Sequence, residues 1–332
     1  MRIGFIGSVN SSYLTLQKLI EHKFEIVGVW GYEPVSVENV SGYSDLGVLA
    51  RANKLDYNAF DKINNDRTKQ QIKDAALDVL FIVGLSQLVD EDIINSPKHG
   101  CVGFHPTKLP EGRGRAPLAW LVHDVKEGAA TFFRIEKNVD GGRIYVQKSF
   151  TVFPNDDVCS VKDKLLSAMK NALDEWLPEL KKGNLQSIVQ DEAMATYYAR
   201  RAPLDGYINW ERKAYDIDRL IKTSTHPYAG AFSFYGEHKV IIWESNYYDA
   251  GFPKGVIGRI VAYSQNEFPV VQALNGFVEL RSYEIRNFKD IITGDRLSIG
   301  SRLGYYEQYE IYKLRNELKQ LKEIIKNVLD GK

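Results

Sequence analysis

The sequence predicts an α/β protein: an open, mostly parallel, Rossmann-like sheet, followed by a smaller β-barrel-like domain and a terminal helix. Three observations carry this reading. Short apolar runs alternate with amphipathic stretches over residues 1–150, the pattern of parallel strands joined by right-handed helical crossovers. Beyond residue 195 that alternation gives way to short β-rich runs separated by turn signals. The length is the third: 332 residues, 44% hydrophobic with 26 Gly and 11 Pro, suffice for two cores rather than one small stapled unit.

Residues 2–6 read as a strand, and Gly7-Ser8-Val9-Asn10-Ser11-Ser12 is a small-residue turn ending in natural helix caps. Leu14, Leu16, Leu19 and Ile20 then give a helical stripe up to His22. Strand, tight turn and helix open a nucleotide-binding type of unit, and free N–H groups at such a helix start favour an anion. Ser8 is therefore a candidate substrate contact, with plain strand-to-helix packing as the alternative. Residues 24–30 are the second strand, 31–44 a loop with a β-rich centre, 45–53 and 69–77 helices, and 78–83 a third, buried strand. This strand opens at Val83-Gly84-Leu85-Ser86-Gln87-Leu88-Val89 into a turn before a helix at 90–95.

The organising stretch is residues 100–143. Residues 101–104 are continuously apolar, as a strand covered on both faces should be, and His105 stands at its carboxyl end, the edge where open α/β sheets bind ligands. Pro106-Thr107-Lys108-Leu109-Pro110-Glu111-Gly112-Arg113-Gly114-Arg115-Ala116-Pro117 would make a stiff polar loop at that edge. Arg113 and Arg115 suit a phosphate or carboxylate, since a guanidinium matches both geometries; solvated loop charges are the alternative. Residues 129–135 and 143–150 read as two further strands, and Val139-Asp140-Gly141-Gly142 between them brings a carboxylate near the histidine. His123 reads as a helix surface residue and His226 as second-domain structure.

Gly103-Phe104-His105-Pro106-Thr107 and the loop that follows, with Asp140 downstream, resemble the catalytic segment of the folate-dependent formyltransferases. The resemblance continues through Ala195-Thr196-Tyr197-Tyr198-Ala199-Arg200-Arg201, Asp205-Gly206-Tyr207-Ile208-Asn209-Trp210 and His226-Pro227-Tyr228-Ala229-Gly230-Ala231, which are similar to the linker and C-terminal domain of the members that act on methionyl-tRNA and on sugar nucleotides. It covers residues 1–285. It implies domains at 1–184 and 195–290, with a separate helix at 303–330. It also implies that His105 and Asp140 are catalytic, and that Gly103, Thr107, Arg113, Arg115 and Ser8 lie toward the substrate. N10-formyltetrahydrofolate is the implied donor, its pterin clasped by backbone at Gly84, Leu85, Ser86 and Val139, with no metal.

The family's Asn two residues before the histidine is Gly103 here, which removes an oxyanion donor worth on the order of 3 kcal/mol. Three readings stay open on that account: formyl transfer with another group in the amide's place, an acyltransferase using acyl-CoA, and a non-catalytic binding protein. The tRNA members carry a basic loop where residues 31–44 hold only Glu33 and Glu38 as charges, and 43 basic residues balance 43 acidic ones. Nucleic acid and anionic membranes are therefore not expected partners. A nucleotide-linked amino sugar for surface glycans is the substrate that analogy implies.

Asp156-Asp157-Val158 starts a long helix with Val161, Leu165, Leu166, Met169, Leu173 and Leu177 on one stripe. Tyr235-Gly236-Glu237-His238 and Asn275-Gly276 mark hairpins in the β-rich domain. At the end of the chain Ile311, Leu314, Leu318, Leu321, Ile325 and Val328 recur at steps of three and four, as a coiled-coil seam does. A dimer-forming helix and a helix docked on its own domain both fit. Cys101 and Cys159 lack metal-ligand spacing, and no run reaches membrane-spanning length, so a reducing, cytoplasmic setting is expected.

Overall fold

The computed structural model describes residues 1–37, 40–287, 290–291, 296–304 and 307–329. The chain divides into two compact units, Met1–Asp205 with Lys222–Ala229, and Gly206–Ile221 with Gly230–Lys332. The first unit thus runs past residue 184 to Asp205, and it includes His226, which the sequence pattern had suggested for the second.

Seven strands form the sheet of the first unit: β1 (Arg2–Gly7), β2 (Glu25–Tyr32), β3 (Tyr57–Phe60), β4 (Val79–Val83), β5 (Cys101–Thr107), β7 (Gly128–Arg134) and β8 (Ile144–Phe150). Between β5 and β7 the chain makes the two-residue β6 (Arg113–Gly114), which lies off this sheet. The order is β3-β2-β1-β4-β5-β7-β8, parallel from β3 to β5 and antiparallel from β5 to β8. The helices are α1 (Asn10–Glu21), α2 (Leu46–Ala52), α3 (Asp66–Asp74), α4 (Glu91–Ile94), α5 (Pro117–Asp124) and α6 (Val158–Lys181). The stripe of α6 buries Val161, Leu165, Met169, Leu173 and Leu177, four of which join Phe5, Phe81, Val102 and Phe132 in the main core; Val161 packs with Leu121 and Val152. Burial of each such side chain stabilises the fold by about 1.5–3 kcal/mol. Asp157 caps α6, its carboxylate accepting from the Ser160 N–H at 2.8 Å.

Two elements depart from the sequence expectation. β3 is an edge strand that pairs with β2 alone, and its short mixed segment Tyr-Asn-Ala-Phe carries no long apolar run to announce it. His105 lies inside β5 rather than after it, because pairing with β7 continues through His105 opposite Thr131 and on to Thr107 opposite Gly128. Cys101 is fully buried, and burial pushes its thiol up to about 12, which suits a core residue rather than a reactive one.

A second, two-stranded sheet pairs β6 in parallel with β9 (Tyr197–Tyr198). In the second unit β10 (Ala231–Tyr235), β11 (His238–Tyr248), β12 (Ile260–Tyr263), β13 (Pro269–Gln272) and β14 (Phe277–Asn287) form an antiparallel sheet, with β15 (Asp290–Ile291) paired to β14. Its core joins Val240, Ile242, Val271, Val278 and Leu280 to Ile217 and Ile221 of α7 (Ala214–Ser224). The last described element is α8 (Glu307–Leu329). Among the described residues no helix is long and apolar enough to cross a membrane.

Candidate active site

Side chains alternate across a strand, so Cys101, Gly103 and His105 share one face of β5 while Val102 and Phe104 turn to the α6 side. On the first face His105 is nearly buried, with 5% of its surface exposed. Its Nε2 lies 2.9 Å from the carbonyl oxygen of Gly112, and its Nδ1 lies 3.6 Å from Oδ2 of Asp140. A carbonyl can only accept, so Nε2 carries the hydrogen in the neutral ring and Nδ1 presents its lone pair toward the carboxylate. Burial pulls the imidazole pKa below its ordinary value, while Asp140 and the Gly112 carbonyl work against that shift. The ring is thus a neutral base with an anion placed to stabilise its protonated form.

The loop after β5 is bent back over the histidine. Thr107 Oγ1 donates to Glu111 O at 2.8 Å, and the Gly112 N–H donates to Thr196 Oγ1 at 2.9 Å. Gly112 has φ +71, and a Cβ there would stand 2.7 Å from Tyr198 Cε2 and 3.0 Å from Thr107 Cγ2. Glycine is therefore what lets this carbonyl approach the imidazole. Beside it Thr131 Oγ1 donates to Thr107 O at 2.7 Å, and Gln147 Nε2 donates to Thr131 Oγ1 at 2.9 Å, which fixes the strand end that holds His105.

Asp140 comes from the loop that leaves β7. Ile135 N–H donates to Cys101 O beside the start of β5, and the loop then folds back so that Asp140 reaches His105. Asp140 has φ +53, a left-handed conformation that a non-glycine residue keeps only when its surroundings hold it. Gln190 does the holding: its Nε2 donates to Asp140 O at 2.8 Å and to Gly142 O at 2.6 Å. The Gly114 N–H donates to Asp140 Oδ2 at 2.9 Å, which aims the carboxylate.

Behind Gln190 stands Arg113, with no exposed surface. Its guanidinium donates to Gln190 Oε1 at 2.8 and 3.2 Å, to both Glu192 oxygens at 2.7 and 2.9 Å, and to the Tyr197 hydroxyl at 3.0 Å. Buried charge of this kind is stable when paired and saturated with hydrogen bonds, and this arginine is both. Its fork faces the protein, so it orders the Asp140 loop rather than meeting a ligand.

Ser8 and Thr107 are likewise turned inward. Both are 2% exposed, and Ser8 Oγ donates to Gly84 O at 3.1 Å. Arg115 is exposed next to Gly114, and its guanidinium makes no bond to another described residue. Leu85 is half-buried, Ser86 and Val139 exposed, and the backbone of Leu85 and Ser86 bonds to no other described residue. Free backbone groups at the carboxyl end of β4 are the kind that a planar heterocycle edge can use.

Gly103 is buried, and a Cβ built on it would stand 2.9 Å from both Ile135 Cγ1 and Phe133 Cζ. Phe133 is its partner across β7, so the two share a face. The glycine therefore leaves no open space: aromatic and aliphatic side chains occupy it. Sequence reasoning did not reach Gln190, Thr131, Gln147 or Phe133. Gln190 lies in a polar stretch without periodicity, and no spacing rule ties it to Asp140.

A formyl transferase model matches residues 44–177, and the model of the formyl transferase C-terminal domain matches 202–296. Among solved structures, a variant of HypX from Aquifex aeolicus superposes with a TM-score of 0.62 at 15% identity over 88% of this chain, which spans 47% of the length of HypX. WlaRD, a sugar 3N-formyl transferase solved with dTDP and 5-N-formyl-THF, gives 0.60 at 15% identity, with coverage of 87% of this chain and 98% of WlaRD. An N-formyltransferase from Helicobacter canadensis, solved with folinic acid and dTDP-3-aminofucose, gives 0.59 at 15%, covering 84% and 98%. At such identities these three show a common fold.

Proposed function

Because this chain belongs to the formyl transferase family, with both its N-terminal and its C-terminal domain, we propose that it moves a formyl group from N10-formyltetrahydrofolate to the amine of a nucleotide-linked amino sugar. The observation that carries this reading is the buried, neutral imidazole of His105 with Nδ1 turned to Asp140. The amine nitrogen attacks the formyl carbon and gives up a proton to Nδ1, and the imidazolium that results faces the Asp140 carboxylate. Collapse of the tetrahedral intermediate breaks the bond to N10, which takes the proton back and leaves as tetrahydrofolate. Gly103 supplies no side-chain donor to the oxyanion, so in this reading the imidazolium of His105 supplies the compensating charge.

The free backbone of Leu85 and Ser86 fits the edge of a pterin, and the exposed Arg115 fits a phosphate. The nucleotide-sugar assignment rests on WlaRD and the Helicobacter enzyme and on the balanced charge of the chain. Phe133 and Ile135 against Gly103 speak against an acyl-CoA donor, since no room has been opened for a larger acyl head. The test is incubation with N10-formyltetrahydrofolate, or with acetyl-CoA, and a panel of dTDP-, UDP- and GDP-linked amino sugars, followed by mass spectrometry. Formylated sugar with release of tetrahydrofolate is expected. Acetylated sugar, or no product from any amine, overturns the reading.

A further inference from the structure

We propose that α8 pairs in parallel and in register with α8 of a second copy of this chain, as a two-stranded coiled coil. The proposal does not depend on the reaction. Over 23 residues α8 extends about 34 Å. Its seam is Ile311, Leu314, Leu318, Leu321, Ile325 and Val328, which are 48%, 62%, 52%, 55%, 55% and 71% exposed. An amphipathic helix of this length draws most of its stability from covering its apolar face, and no described residue buries that face here.

The flanking residues select the occupant and its direction. Of the three heptads Ile311/Leu314, Leu318/Leu321 and Ile325/Val328, the first has the isoleucine-then-leucine order that favours two strands, and two of the three first positions are β-branched. Glu310, Glu317 and Ile324 precede the seam residues of each heptad, and Arg315, Lys322 and Leu329 follow them. In a parallel pair each preceding residue faces the following residue of the partner helix, five positions on. Glu310 then meets Arg315 of the partner subunit, Glu317 meets Lys322 of the partner subunit, and Ile324 meets Leu329 of the partner subunit. All three pairs are complementary, two in charge and one in apolar character. Ile324 and Leu329, 59% and 79% exposed, widen the seam at its far end. Antiparallel pairing that covers the whole seam, with Leu314 against Ile325 of the partner subunit, would set Arg315 against Lys322 of the partner subunit and Glu317 against Ile324 of the partner subunit, so a like-charge pair and a charge on an apolar side chain disfavour it.

The test uses the full chain. Light scattering and analytical ultracentrifugation over a concentration series should give a dimer. Leu318→Lys should raise its dissociation constant at least about 100-fold, because an apolar contact is lost from both helices. Glu310→Lys with Glu317→Lys, and Arg315→Glu with Lys322→Glu, should each weaken self-association, and mixing the two variants should restore a dimer. In a Cys159→Ser background, Leu314→Cys should form a disulfide-linked dimer on oxidation. A wild type that stays monomeric or forms a trimer, or a dimer indifferent to Leu318→Lys, overturns the proposal. So does cross-linking of Leu314→Cys only when it is mixed with Ile325→Cys, which would mean antiparallel helices.

Discussion

Nδ1 of His105 faces Oδ2 of Asp140 at 3.6 Å, too far for a hydrogen bond and near enough for an ion pair. The pair is thus set to engage when the ring gains a proton. His105→Ala and Asp140→Asn should each lower kcat by about 100-fold or more, the usual contribution of a positioned acid or base. Circular dichroism should show the fold retained. A rate within about tenfold of wild type for either variant would remove the pair from the chemistry.

The pH dependence follows from the lowered pKa of His105. As the neutral ring is the base, kcat/KM should rise through an acidic limb below the ordinary value of 6.5 and be level above it. Asp140 raises the ring's pKa, so Asp140→Asn should move the limb to still lower pH. Stability has the same sign. Between the folded pKa and 6.5 the unfolded chain binds more protons, so the folded state loses stability as pH falls through that window. His105→Gln should flatten this part of the stability profile, as read by thermal unfolding at successive pH values.

Gln190 positions Asp140 through its backbone. Gln190→Leu would leave the buried carbonyl of Gly142, the partly buried carbonyl of Asp140 and part of the Arg113 guanidinium without the Gln190 partner, at up to about 1–3 kcal/mol for each orphaned group. Thermal stability should fall. If the network also aims the carboxylate, kcat should fall at saturating substrate with KM for the donor little changed. Loss of stability with kcat intact would reduce Gln190 to scaffolding.

Gly103→Asn alone should lose activity whatever the donor, because its Cβ meets Ile135 and Phe133. Adding Phe133→Val relieves one of these two contacts and opens space on that side for the amide. Formyl transfer by the double variant should then exceed that of the single variant, measured as tetrahydrofolate released. Equal rates in the two variants would mean that relieving the Phe133 contact does not rebuild an oxyanion donor at this position.

The parallel sheet, the long α6 and the hairpins of the second unit were legible because periodic burial leaves a periodic sequence. His105 and Asp140 were legible as letters within a matched motif. Their surroundings were not. Arg113 and Arg115 are equivalent in sequence, two guanidinium groups in one glycine-rich loop, and differ only once the chain from Gln190 to Tyr197 returns to cover the first. β3 escaped notice because an edge strand of four residues needs no continuous apolar run.

The parallel pairing of Arg113–Gly114 with Tyr197–Tyr198 has a practical meaning for anyone who would exchange modules between such proteins. The stretch that joins the two matched domains doubles as a wall of the loop that follows β5, with Gln190, Glu192 and Thr196 bonded to Asp140, Arg113 and Gly112. A chimera joined after residue 184 would inherit the histidine and the aspartate without the residues that aim them. Joined after Asp205, it would carry the whole arrangement as one heritable block.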